Sequence, residues 1–80
     1  MKYKYVLLER AQLEYEDAVR WYAERSISAA ENLIKSVEYS LKLICDNPYR
    51  WKNEYQKFHE LGIHKFPYQI IYFIDERKNV

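Results

Sequence analysis

The side chains able to do proton or nucleophile chemistry are few: His59, His64 and Cys45, with carboxylates scattered between them. A neutral imidazole titrates near pH 6.5 and suits general acid or base work. His59 is therefore the candidate catalytic residue, and a weak one. Its neighbour Glu60 faces the opposite side of any strand that holds them both, and no other carboxylate or nucleophile is placed to orient the ring. His59 thus reads as structural or simply exposed. His64 follows five positions later, so on a strand the two imidazoles point to opposite faces and no metal-ligand spacing results. Cys45 sits beside Ile44 and Asp46. A reactive thiolate needs an electropositive setting, so this cysteine reads as a small buried hydrophobe. Gly62 is the one glycine, which leaves no phosphate-cradling loop, and no cofactor is expected.

Aromatic side chains interleaved with cations offer a different chemistry. Tyr49-Arg50-Trp51-Lys52 is the best example, and such stretches stack and hold single-stranded nucleic acid. The same residue types also fill the core and helix seams of a small two-layer domain, with their polar tips reaching water. Tyr15, Tyr22, Tyr72 and Phe73 take that second reading. Arg50, Trp51, Lys52, Lys57, His59 and Lys65 stay open as contacts to a target or to nucleic acid.

These residues must be positioned by a chain of 80 amino acids, of which 49% are hydrophobic, 31% charged and only three are Gly or Pro. That size and composition predict one ordered domain over residues 1–80. Such a chain buries only about 60% of its unfolded surface, so an open sheet edge invites a partner. A lone cysteine forbids an internal disulfide. No apolar run approaches the roughly 20 residues of a membrane span, and no signal-peptide core is visible. The expectation is a cytoplasmic protein.

The net charge of +1 is unevenly spread. Residues 1–8 carry +2, residues 9–46 carry 5 positive and 8 negative side chains, and residues 47–80 carry 6 positive and 4 negative. An acidic middle lies between two basic ends, and a sheet built from both ends would present a mildly basic face.

Lys2 to Leu8 alternates lysine with tyrosine and predicts a first strand. Ala11, Tyr15, Ala18 and Tyr22 then recur at helical spacing and predict a helix over about 10–25. Ser28-Ala29-Ala30-Glu31 fits a capping box, so a second helix starts near Ala29. Its stripe is Ala30, Leu33, Ile34, Val37, Leu41 and Ile44, and Asn47-Pro48 stops it. The two helices form a hairpin with one shared seam. Tyr49 to Tyr55 reads as a loop, and Phe58 to Phe66 as a strand. After a tight Phe66-Pro67-Tyr68 connection, Gln69 to Asp75 is nearly continuous apolar and reads as a central strand, buried on both faces. Asp75 to Asn79 is a turn that announces one more strand.

The order β-α-α-β-β, the stretch Glu14 to Tyr22, Asn47-Pro48, and above all Lys65-Phe66-Pro67-Tyr68-Gln69-Ile70-Ile71-Tyr72 resemble the RelE/ParE toxin family of plasmid stabilisation proteins. Within that motif Phe66, Pro67, Tyr68 and Tyr72 are the most family-specific residues. The resemblance implies an α+β domain, a small antiparallel sheet packed against an N-terminal helical hairpin, and the toxin half of a type II toxin–antitoxin pair. It implies a cognate antitoxin as partner, and as target either DNA gyrase, bound by ParE-like members, or ribosome-bound mRNA, cut by RelE-like endoribonucleases. Two departures matter. His59 stands where members usually carry arginine, and the family's last strand and tail are not found after Val80. Both weigh against ribonuclease activity, so the expected protein is a binding toxin or a shortened relative that only binds antitoxin. An edge lacking that last strand is expected to recruit a strand from the antitoxin or from a second copy, giving a homo-oligomer.

Overall fold

The computed structural model describes residues 3–55, 57–75 and 80. Two helices are followed by a three-stranded antiparallel sheet, the α+β arrangement expected. Helix α1 spans Glu9–Ala23 and α2 spans Ile27–Asp46. A 3₁₀ turn at Pro48–Arg50 leads into β1 (Lys52–Tyr55), β2 (Phe58–Gly62) and β3 (Gln69–Phe73).

Helix α2 is the spine of the core. Ala30, Leu33, Ile44 and Cys45 are buried, as the apolar stripe requires, and Ser40 is buried with them. Fully burying a leucine or isoleucine contributes about 1.5–3 kcal/mol, so Leu33 and Ile44 are the main anchors. Helix α1 buries no residue completely. It packs along α2 through half-buried Tyr15, Ala18 and Tyr22, and i,i+3 or i,i+4 pairs such as Arg20–Asp17 at 3.0 Å and Arg10–Glu14 at 3.2 Å lace its wet face. The expected capping box is displaced by two residues. Ser26, with extended backbone, is the N-cap, and its hydroxyl accepts from the Ala29 N–H at 3.2 Å. Ser28 lies inside the first turn, because Ser26 competes for the same role and the interhelical turn is shorter than the pattern suggested.

Three strand expectations change. Residues 3–8 are extended but form no regular strand; the Tyr3 N–H donates to the Cys45 carbonyl at 3.1 Å, and the segment otherwise meets Val80. The expected loop at 49–55 splits into the 3₁₀ turn and β1, which pairs with β2 through Lys52↔Glu60 and Asn53↔His59 before a bulge. The β2 strand ends at Gly62 rather than Phe66. The chain turns over 63–68, where Ile63 N–H donates to Tyr68 C=O at 2.9 Å and Lys65 takes a left-handed φ of 69°.

The β3 strand is not central. Among the described residues the order is β1-β2-β3, so β3 has one neighbour, and Ile71 is 61% exposed. Its continuous apolar run covers two different surfaces. Ile70 and Tyr72 face the helices, while Ile71 and Phe73 face outward, Phe73 edge-on to Phe58 at 6.2 Å. The expected turn over 75–79 lies, apart from Asp75, outside the described residues.

Candidate functional site

His59 projects from β2 toward the helical side, paired across the sheet with Tyr72. The two rings stack at 5.3 Å with 17° between their planes. His59 Nδ1 lies 3.0 Å from the Trp51 carbonyl oxygen. A carbonyl only accepts, so Nδ1 carries the proton and Nε2 is left to accept from Asn53 Nδ2 at 3.4 Å. Both ring nitrogens are thus turned to the protein. Tyr72, buried behind the imidazole, donates its hydroxyl to the Pro48 carbonyl at 2.7 Å. Burial pushes its phenol pKa up to about 12. The cluster straps the 3₁₀ turn to the sheet.

Glu60 points to the other sheet face, as expected, where it lies 4.0 Å from Lys52. Lys52 and His59 therefore occupy opposite faces. Arg50 stacks its guanidinium 4.8 Å from the Trp51 ring centroid. The Trp51 indole Nε1 is buried and has no hydrogen-bond partner among the described residues. Lys57 lies on the outer face, 5.0 Å from the Phe73 ring, and Lys65 sits in the turn at the other end of β2. Of the six contact candidates, Arg50, Trp51 and His59 come together around the 3₁₀ turn, Lys52 and Lys57 flank the outer sheet face, and Lys65 stands apart. His64 lies beyond β2, in the turn, and among the described residues no group of histidine, cysteine and carboxylate side chains could hold a metal.

Cys45 is fully buried, and burial, then Asp46, raises its thiol pKa, the setting of an unreactive cysteine. Tyr15 is likewise raised, first by burial, then by Glu38 and Tyr5. The motif residues Phe66 and Tyr68 pack edge-on against Tyr22 at 5.3 and 6.4 Å, fastening the β2–β3 turn to the end of α1.

A feature that residue-type reasoning did not locate is an apolar cavity of about 130 Å³ between the N-terminal segment and β3. Val6 and Leu8 line it together with Ile71 and Phe73, and Leu41 and Ile44 contribute from α2. Val6 and Leu8 are 63% and 64% exposed, far more than a core permits. The signal was present in the sequence as the apolar run Val6-Leu7-Leu8 facing the β3 run, but only the tertiary arrangement joins them.

With the helical hairpin, the antiparallel sheet and the docked Phe66-Pro67-Tyr68 turn described, the comparison with known families is decisive: the model for the ParE toxin of type II toxin–antitoxin systems, parDE, matches residues 5–80. The chain belongs to the ParE toxin family. No curated protein and no solved structure matches it. Membership in a type II toxin family implies a cognate antitoxin as partner. Among the described residues no helix is long and apolar enough to cross a membrane.

Proposed function

We propose that this ParE-family chain is a toxin that acts by binding its target, DNA gyrase being the leading candidate, and that it is neutralised when its antitoxin covers the exposed apolar surface. The observation that carries the reading is the state of His59. A general base in RNA cleavage needs a nitrogen lone pair turned to the substrate, with a partner that orients the ring. Here Nδ1 is committed to the Trp51 carbonyl, Nε2 is turned to Asn53, and the ring lies flat on Tyr72. That geometry fits a structural strap. Arg50, Trp51 and Lys52, with Lys57 on the outer face, are the side chains we assign to target contact; Lys65 is the outlying candidate.

The test is a pair of assays on the purified chain. Inhibition of gyrase supercoiling, relieved by antitoxin, with no translation-dependent cleavage of mRNA, is the expected result. Ribosome-dependent cleavage that is lost in His59→Ala but retained in Trp51→Phe would overturn it in favour of the endoribonuclease reading.

A further inference from the structure

The cavity beside β3 has the form of a missing strand's place. On one side, Val6 N–H donates to the Val80 carbonyl and Val80 N–H donates to the Lys4 carbonyl, each at 2.8 Å. This is the bonding pattern of a parallel pair centred on Tyr5 and Val80. The next pairing groups along that edge are the Val6 carbonyl and the Leu8 N–H, and neither has a backbone partner among the described residues. On the other side, the Ile63–Tyr68 bond sets the alternation of the β2–β3 ladder. It follows that Leu61↔Ile70 and His59↔Tyr72 are the hydrogen-bonded pairs, and that the N–H and C=O groups of Gln69, Ile71 and Phe73 point away from β2. Two unpaired edges thus border one apolar cavity, with Val80 seated at its entrance.

Resting on the toxin–antitoxin reading above, we propose that this slot receives an extended segment of the antitoxin as an inserted β-strand, parallel to residues 4–8 and antiparallel to β3. The double edge decides the occupant. A strand in the slot is bonded on both sides, so it must arrive with both of its edges free. The described strands of a folded second copy do not qualify, because each already has at least one edge paired. A segment that is unfolded until it binds does qualify. Val80 lines the cavity, so residues at alternate positions of the incoming strand face the apolar floor of Leu41 and Ile44 and should themselves be apolar.

Leu8 offers a clean test. Its φ of −69° is the value proline imposes, and its N–H has no partner in the free chain. Leu8→Pro therefore deletes one strand-pairing donor at little conformational cost, and Leu8→Ala controls for the lost side chain. The isotope-labelled protein is titrated with its full-length antitoxin, reading affinity and amide exchange. The expected result is at least tenfold slower exchange at Leu8, Ile71 and Phe73 in the complex, with Leu8→Pro binding about tenfold more weakly than Leu8→Ala. Tight binding without protection at these amides, or with equal affinities of the two variants, overturns the strand insertion and leaves the family partner in place. Protection already present in the free protein overturns it too, pointing to a second copy if it grows with concentration and to the chain's own residues if it does not. No binding by the unmodified protein overturns both the insertion and the antitoxin reading beneath it.

Discussion

Removing one oxygen from Tyr72 tests the central strap of the fold. In Tyr72→Phe the ring keeps its place against His59, but the 2.7 Å bond to the Pro48 carbonyl is lost. Tyr72 is 7% exposed and Pro48 is fully buried, so water cannot readily replace the missing donor. A buried acceptor left unpaired costs about 1–3 kcal/mol, against which the phenol's own desolvation is recovered. The expected loss is about 1–2 kcal/mol, or on the order of 4–16 °C in Tm for a domain of this size.

The pH dependence sharpens the test. The folded-state pKa of Tyr72 is about 12, above the ordinary value of 10.0, because burial disfavours the phenolate. A group whose folded pKa is raised contributes stability that is whole below pH 10 and is lost as pH rises toward 12. Two units correspond to roughly 3 kcal/mol at most. Urea denaturation at intervals from pH 8 to 12 should show the unmodified protein losing stability faster than Tyr72→Phe, the two curves converging in alkali. The other tyrosines and the lysines titrate in both proteins, so the difference isolates position 72. Parallel curves, or a substitution that costs less than about 0.3 kcal/mol, would refute the burial and bonding assigned to this hydroxyl.

Ser26→Ala removes the side-chain cap of α2 and should cost about 1 kcal/mol by thermal denaturation. Gly62→Ala meets nothing within 4 Å and has no positive φ, so it should stabilise by about 0.4–1 kcal/mol through the unfolded chain. Lys65→Gly relieves a left-handed residue and should be neutral or stabilising by up to about 1 kcal/mol, with no loss of target binding if Lys65 stands outside the contact surface.

The helices were the legible part of the fold because their evidence is periodic and local. The α2 stripe marks the buried face correctly, and Asn47-Pro48 ends it where proline chemistry says it must. The N-terminus moved by two residues because Ser26 and Ser28 offer equivalent hydroxyls, and the choice between them depends on the length of the interhelical turn. Strand position was less legible. Ile70-Ile71-Tyr72-Phe73 carries the composition of a central strand, yet two of these side chains serve an outer face that is only partly covered. An apolar residue reports that it can be buried and says nothing of what buries it. The site behaved likewise: His59 was recognisable as a lone imidazole, but its strap to Trp51, Asn53 and Tyr72 required the register of both sheet pairings.

The same logic ties the apolar excess to function. A chain this small can hide only part of its hydrophobic surface, and here the unhidden part is concentrated on Val6, Leu8, Ile71 and Phe73 rather than dispersed. Residues that were merely surplus would be scattered singly and would carry no unpaired backbone beside them. These four lie where two strand edges also lack partners, so covering them with an extended segment satisfies hydrogen bonds and buries apolar area in one step. A polar side chain at the alternate positions of that segment would forfeit the second gain, and proline at its bonding positions the first. An antitoxin variant of either kind should therefore bind more weakly while the toxin's own stability is unchanged, which separates recognition from folding at this surface.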